Sequence, residues 1–574
     1  MLRRSITAIA ALGAVAIAAS GCTSSSNTAT NTKTSSSSTT SSSSSSGNSS
    51  APAVVGKTLV VENNPLPTMT DTFNPFAATS TGKSVNALAL FYEPLLQFNN
   101  TKAGSYYPWL AKSFKWNSDG TAITFTLQDN VKWSDGQAFT ADDVAYTFQL
   151  MQQNKALNYT GLPITGVTTS GTDSVTITFS SAEYTNLYGI AGQTWIVPKH
   201  VWSAQADPAT FADPSPIGTG PYLMDKFTPQ GFTLKANPNY WGGTPSVPEL
   251  SFPAYASNNT ALTALQQGEI DYTGNNIVDI QKNFVDKDPA HNHYFFPATN
   301  TVVLIPNVTK WPFSEQAVRL AVSAGINRSQ LSTQGETGYE PVATSSSGLL
   351  LPNFAANVPA SMQNDLKATP DADKVNSIMT AAGFAKNSKG FWAKGGKEVA
   401  FAVEDPTPYT DYYADAQIIA QNLKPLGFNV TVNGVTPDQW NADASAGTFD
   451  SMIHWGAGGP SAYAQYDGWL DYNLVSGKTA SGDQGRWNDP ATQTALQALA
   501  AAATPDAEQA AINRLAGIVS TQAPVIPLLY GAGWFEYSTK NYTGWPTKDN
   551  SYVDPSPNSA NVEYVILHLK PAAS

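Results

Sequence analysis

At 574 residues the chain is too long for one hydrophobic core, and two or three domains are expected. Only 13% of residues are charged, with 31 Lys and Arg against 43 Asp and Glu, and the formal charge of -12 argues against the basic face a nucleic-acid partner requires. The single cysteine, Cys22, excludes an intramolecular disulfide and any thiol-rich metal site.

Arg3 and Arg4 precede an apolar run from Ile6 to Ala19, followed by Ser20-Gly21-Cys22. A basic start, a short apolar run and small residues before a cut site describe a signal peptide over residues 1–21, too short to span a membrane comfortably. Ala19-Ser20-Gly21-Cys22 resembles a bacterial lipobox, in which the cysteine is lipidated and becomes the mature N-terminus; Ala19 replaces the usual Leu. An ordinary signal peptide with an incidental cysteine is the alternative. From Thr23 to about Ser50 the sequence is almost all Ser, Thr and Asn, so residues 22–56 are expected to form an unfolded tether with a reach on the order of 30 Å. Anchor and tether together place the folded body at the extracytoplasmic face of the membrane.

The body is expected from Lys57, with a strand at Leu59 to Val61, a loop at Phe73-Asn74-Pro75-Phe76 and a helix through Leu88 and Leu90 to Tyr92-Glu93-Pro94. The most locally consistent stretch is Ile123 to Met151. Ile123, Phe125 and Leu127 alternate with polar residues as in a half-buried strand. Ser134-Asp135-Gly136 supplies a turn, Thr140 and Asp143 form a capping box, and Val144, Phe148 and Met151 mark a buried helix face. Gly218-Thr219-Gly220-Pro221-Tyr222 lacks the Lys and Ser/Thr of a phosphate loop and reads as a tight turn stiffened by Pro221.

In the second half, helices alternate with strands. Val375, Ile378, Met379 and Ala382 mark one helix ended by Gly383; Ala416, Ile419, Ala420 and Leu423 mark another, followed by a strand through Phe428, Val430 and Val432. Thr436-Pro437, Asp489-Pro490 and Thr504-Pro505 each start a helix with a capping residue and proline at its first position. This alternation argues an α/β lobe.

NPF at 74–76, YEPLL at 92–96, WSDGQAFTADDVAYTF at 133–148, GTGPY at 218–222, NPNYWGG at 237–243, LTALQQGEIDY at 262–272 and the helix VRLAVSAGINR at 318–328 occur in one order and spacing. In this the chain resembles the extracytoplasmic solute-binding proteins of ABC importers of the oligopeptide, dipeptide and nickel type, family 5, from Lys57 onward. The resemblance implies an α/β periplasmic-binding-protein fold of the large oligopeptide-binding type, with two lobes, two hinge crossovers near 295–306 and 522–530, and an extra subdomain in the first lobe. Lobe I would cover 57–296 with the subdomain at about 86–196, lobe II 297–526, and residues 527–574 would return to lobe I. It further implies a monomer that captures a small molecule in the interlobe cleft and delivers it to an ABC permease and ATPase complex.

In peptide-binding relatives, a Gly-x-Phe-Asp turn leads to an aromatic residue and, three residues on, to an aspartate that pairs with the peptide ammonium. Here Gly447-Thr448-Phe449-Asp450 matches the turn and Trp455 the aromatic, but the third residue on is Gly458, within Gly456-Ala457-Gly458. A buried ammonium without a partner costs several kcal/mol. Asp467 and Asp471 are the candidates to take over that carboxylate's place. Oligopeptides come first for the family at large; β-linked oligosaccharides such as cello-oligosaccharides are the alternative, favoured by the lost carboxylate with Trp440, Trp455, Tyr463 and Tyr466 retained. By resemblance, Asn74, Tyr92 and Glu93 face the cleft from the first lobe, and Trp440, Trp455, Gly456, Ala457, Gly458 and Tyr463 from the second. Core roles for Trp440 and Trp455, and a structural role for Glu93 beside Pro94, are the alternatives.

No catalytic residue, metal site or cofactor is expected. His291 and His293 follow the polar loop Asp286-Lys287-Asp288-Pro289 and read as a solvated turn, and no HExxH, GxSxG or phosphate loop occurs. A secreted glycosidase using two carboxylates is the remote alternative, since such pairs leave little local signature.

Overall fold

The computed structural model describes residues 56–573 apart from Asn64, Ala78, Thr79, Pro352, Ala457 and Gly458. The expected signal peptide, the lipidation site Cys22, nearly all of the tether, and the ligand residues Ala457 and Gly458 therefore lie outside the described residues.

The stretch with the clearest local pattern folds as its pattern requires. The strand Ala122–Leu127 buries Ile123, Phe125 and Leu127, and the helix Ala141–Gln153 buries Val144, Phe148 and Met151. The Asp143 carboxylate accepts from Thr140 N at 2.9 Å, completing the capping box, and from Lys199 N at 3.0 Å, which ties the helix start to the next segment. This strand pairs within a four-stranded sheet ordered Ala111–Trp116, Ala122–Leu127, Ser174–Phe179, Ile164–Ser170, the body of an extra subdomain.

Two larger sheets define two α/β lobes. The first has seven strands in the order Asn292–Tyr294, Glu536–Ser538, Tyr272–Gly274, Leu59–Asn63, Glu249–Pro253, Gly231–Ala236, Tyr222–Thr228. The second has five, Asn429–Val435, Ala400–Pro406, Ser451–Trp455, Ala298–Pro306, Ile526–Ala532. The chain passes between the sheets twice, at 295–297 and 533–535. The second passage lies beyond the 522–530 expected, because Ile526–Ala532 still pairs antiparallel with Ala298–Pro306 in the second sheet. At this passage Gly533 is needed for close approach: a Cβ there would stand 2.7 Å from Thr299 Cγ2.

Three local expectations are corrected. The 318–328 helix is Gln316–Gly325; Ile326 is extended, and Asn327 caps a new short turn by accepting from Gln330 N at 3.1 Å. The helix expected through Leu88 and Leu90 is a 3-10 turn, Ala87–Leu90. The glycines of Gly218-Thr219-Gly220 serve approach more than turning: a Cβ would lie 1.8 Å from Phe91 O at Gly218 and 2.5 Å from Leu90 O at Gly220.

The lobes meet in a closed arrangement. Gly104 N donates to Pro460 O at 2.8 Å, Thr185 Oγ1 to Leu499 O at 2.8 Å, and Asn276 Nδ2 to Glu336 Oε2 at 3.0 Å.

Candidate functional site

Each lobe carries a set of parallel strands whose carboxyl ends open toward the other lobe. In lobe I, Leu59–Asn63 runs parallel to Glu249–Pro253 and to Tyr272–Gly274. In lobe II, Ala400–Pro406 runs parallel to Asn429–Val435 and to Ser451–Trp455. Side chains just past such strand ends are unpaired by the sheet and free to face a crevice. A cavity of about 380 Å3 lies there, lined by both lobes, including Thr299 and Asn300 at the start of the strand Ala298–Pro306, and by Gly533 of the second passage.

The lobe II wall is aromatic. Trp440, on the helix Pro437–Ala446, stacks on Trp455 at the end of its strand, with centroids 5.4 Å apart and planes 21° apart. Tyr412 also stacks on Trp455 at 6.0 Å and 25°, and Tyr409 stands 6.5 Å from the same ring. His454 packs on Trp440 at 4.7 Å; burial pushes its imidazole down to about 4, and its Nδ1 donates to Trp455 O at 2.6 Å, so it is a neutral spacer. The Tyr412 hydroxyl donates to Glu340 Oε1 at 3.1 Å, which fixes that ring, and Ala532 N donates to the same oxygen at 2.8 Å. Asp411 lines the cavity between Tyr409 and Tyr412, its carboxyl pushed up by burial and held back by the Tyr412 backbone N–H.

The lobe I wall carries five amides, Asn86, Asn258, Asn275, Asn276 and Asn558, and the hydroxyls of Ser556 and Ser559, together with the ionisable Lys83 and Asp554. Asn275 Nδ2 and the Thr273 hydroxyl, the latter at 2.5 Å, donate to the buried Glu62 carboxyl, which burial pushes up to about 7. Asn558 Nδ2 reaches Gly274 O at 3.3 Å. Among the described residues, Asn558 Oδ1 on lobe I and Asn300 Oδ1 and Trp440 Nε1 on lobe II are buried beside the cavity without a protein partner, an arrangement uncommon in a folded core and natural where a polar ligand docks.

Of the residues expected to bind ligand, Trp440 and Trp455 line the cavity. Asn74, Tyr92 and Glu93 do not. Asn74 is fully buried, donating to Pro208 O at 2.9 Å and Phe211 O at 2.7 Å; Tyr92 donates to Asp213; Glu93 accepts from Trp109 Nε1, Tyr240 OH and Trp241 Nε1, each at 2.8 Å. Their bonds are satisfied inside lobe I. Gly456 is pinned to Thr301 O at 2.9 Å and pressed against Trp469, where a Cβ would lie 2.3 Å from Cζ2. Tyr463 turns with Asp467 and Asp471 toward Glu183 of the subdomain, away from the cavity. Tyr409, Asp411, Tyr412, Trp534 and the amide wall escaped the sequence reading. The available signal was their place just after strand ends or, for Trp534, within an interlobe passage.

Two α/β lobes joined by two passages around a ligand-sized cleft define a solute-binding protein that holds its ligand between lobes. A sequence model of the bacterial extracellular solute-binding proteins, family 5 (middle), matches residues 105–475, and the chain belongs to this family. It is 28% identical to the nickel-binding periplasmic protein of Escherichia coli (strain K12) over 389 residues, which cover 65% of this chain and 71% of that one. Among solved structures it is similar to the mannohexaose-bound periplasmic oligopeptide-binding protein of an oligopeptide ABC transporter from Thermotoga maritima, with TM-score 0.82 and 24% identity over 90% of this chain and 99% of that one. It is also similar to the oligopeptide-binding protein AppA of Bacillus subtilis in complex with a nonapeptide, with TM-score 0.76 and 19% identity over 90% and 99%. The three proteins named here are binding proteins, in keeping with the solute-binding role of the family.

Proposed function

We propose that this chain is the lipid-anchored binding component of an ABC importer and that its cleft captures a short neutral oligosaccharide for delivery to the permease. The observation that carries this reading is the pairing of the two walls: the Trp440, Trp455 and Tyr412 rings line the same cavity as five amide side chains of lobe I. Pyranose rings present apolar C–H faces that stack on aromatic rings and hydroxyl edges that need both donors and acceptors. Asn side chains offer both. Asp411, as a carboxylate, can accept from two neighbouring hydroxyls. The Thermotoga maritima structure with mannohexaose supports this choice by analogy of fold. Cys22 and the tether behind it would hold the body at the membrane, and hinge closure would bury the solute.

An oligopeptide is the second reading, favoured by Lys83 on the lobe I wall and Asp411 on the lobe II wall, opposite charges that suit the two ends of a zwitterion. A thermal-shift screen decides between them. A ligand at a hundred times its Kd stabilises the folded state by roughly 2.7 kcal/mol. Cello- or manno-oligosaccharides are expected to raise the melting temperature while tri- to pentapeptides do not; the reverse result would overturn the oligosaccharide reading and establish the peptide one.

A further inference from the structure

Far from the passages between lobes, the subdomain docks on lobe II through the turn Tyr184–Asn186, where Thr185 Oγ1 donates to Leu499 O at 2.8 Å. Glu183 immediately precedes this turn and is 3% exposed. Its carboxyl accepts from Ser181 Oγ at 3.0 Å and Asn186 Nδ2 at 2.9 Å, both on its own element. What faces it from lobe II is negative. Asp467 and Asp471 lie one turn apart at the end of the helix Ala462–Leu470, with the Tyr463 hydroxyl bonded to Asp467. Asp471 is 8% exposed, and its Oδ2 lies 4.0 Å from where a Cβ on Gly161 of the subdomain would stand, so it too is at the lobe contact.

The remaining charges nearby do not neutralise this group. Asp483 adds a further buried carboxyl beside Asp471. The Arg486 guanidinium is spent on the carbonyls of Ser445, at 2.6 Å, Lys478 and Asp483. Lys155 acts on Asp471 only as the weakest of its influences. Among the described residues, no ion pair includes Glu183, Asp467 or Asp471.

We propose that lobe closure takes up a proton at the Glu183–Asp471–Asp467 contact, so that the closed, solute-holding form is favoured in an acidic medium and weakened in an alkaline one. Like charges brought together out of water cannot all remain ionised. Burial, with the Asp471 charge behind it, pushes Glu183 from 4.5 up to about 7, and burial pushes Asp467 and Asp471 in the same direction. In the open form these groups regain water and return toward ordinary values. The sign follows: the stabilisation of the closed form is complete below pH 4.5 and is lost as pH rises through about 7. If closure accounts for the whole displacement of Glu183, the ceiling is about thirty-fold in closed-form population between pH 8 and pH 5.5.

The proposal rests on solute capture by lobe closure, and the experiment separates the two. Small-angle scattering of the ligand-free full chain is expected to show a smaller radius of gyration at pH 5.5 than at pH 8, with Glu183→Gln compact at both. Calorimetric titration with cellotetraose and with tetra-alanine at the two pH values is expected to show tighter binding at pH 5.5, with proton uptake read from buffers of different ionisation enthalpy, and a smaller uptake and weaker pH dependence in Glu183→Gln, where Asp467 and Asp471 still titrate. A wild-type chain whose scattering ignores pH, or a Glu183→Gln variant that keeps the wild-type pH response, would overturn proton-linked closure. If neither titrant binds at either pH, the solute reading fails while scattering still decides the proposal.

Discussion

The two walls of the cleft divide the work of recognition. Lobe II presents faces: Trp440 and Tyr412 both stack on Trp455, and Glu340 fixes the Tyr412 hydroxyl. Lobe I presents directional groups, five asparagines of which Asn275 is fixed from behind by Glu62. Stacking tolerates sliding and rotation, whereas an amide must meet its partner within a few tenths of an ångström. The difference implies an order of events. On the proposed reading, a ligand would first dock on the aromatic lobe by area, and the amide wall would then test its polar groups as the lobes close.

The most damaging way to test this order is to remove the platform. Trp455→Ala deletes the ring at the centre of the stack, and burial plus stacking of that size is worth about 2–3 kcal/mol to a bound ring. Affinity for the oligosaccharide that scores in the thermal screen is expected to fall on the order of fifty-fold, with a reduced association rate in stopped-flow measurements. An unchanged association rate would break the comparison, because docking would then not begin on lobe II.

A smaller effect is expected on the other wall. Asn558→Ala removes a buried acceptor and a donor bonded only to Gly274 O. The loss of one or two ligand hydrogen bonds is worth roughly 1–1.5 kcal/mol, about tenfold in Kd. It should appear in the dissociation rate, because this wall engages after docking. Equal effects of both substitutions on both rates would mean that the walls close on the ligand together.

What could be read in advance follows the range of the interactions involved. The 122–153 stretch was legible because its strand alternation, capping box and helix face are set within a few residues. Trp440 and Trp455, placed at the cleft only through the resemblance to peptide-binding relatives, do line the cavity. Tyr409, Asp411 and Tyr412 were not legible, because they reach the cleft only through the parallel pairing of Ala400–Pro406 with Asn429–Val435, a non-local contact without a local signature. Asn558 comes from a segment that returns to Gly274, 284 residues away in sequence. Glu93 misled for the same reason. Nothing beside Pro94 announces that Trp109, Tyr240 and Trp241 will converge on its carboxyl and hold it inside the lobe.

That buried site supplies the contrast in which no effect on binding is expected. Glu563 faces Glu93, and burial together with the Glu93 charge holds Glu563 well above the usual carboxylate range. Its Oε2 accepts from Gln97 Nε2 at 2.9 Å, and its carboxyl interacts with that of Glu93. A group raised in the folded state contributes stability that is present below its ordinary pKa and lost as pH rises through the raised one. Wild-type melting temperature should therefore fall between pH 5 and pH 8, in part through this pair. Glu563→Gln keeps an acceptor for Gln97 and supplies an amide donor where the shared proton stood. It is expected to flatten that part of the pH dependence, gaining roughly 1 kcal/mol at pH 8, with ligand affinity unchanged. Loss of affinity in Glu563→Gln, with the fold intact by circular dichroism, would mean that the lobe I core does reach the cleft, and the division of labour between the walls would have to be redrawn to include it.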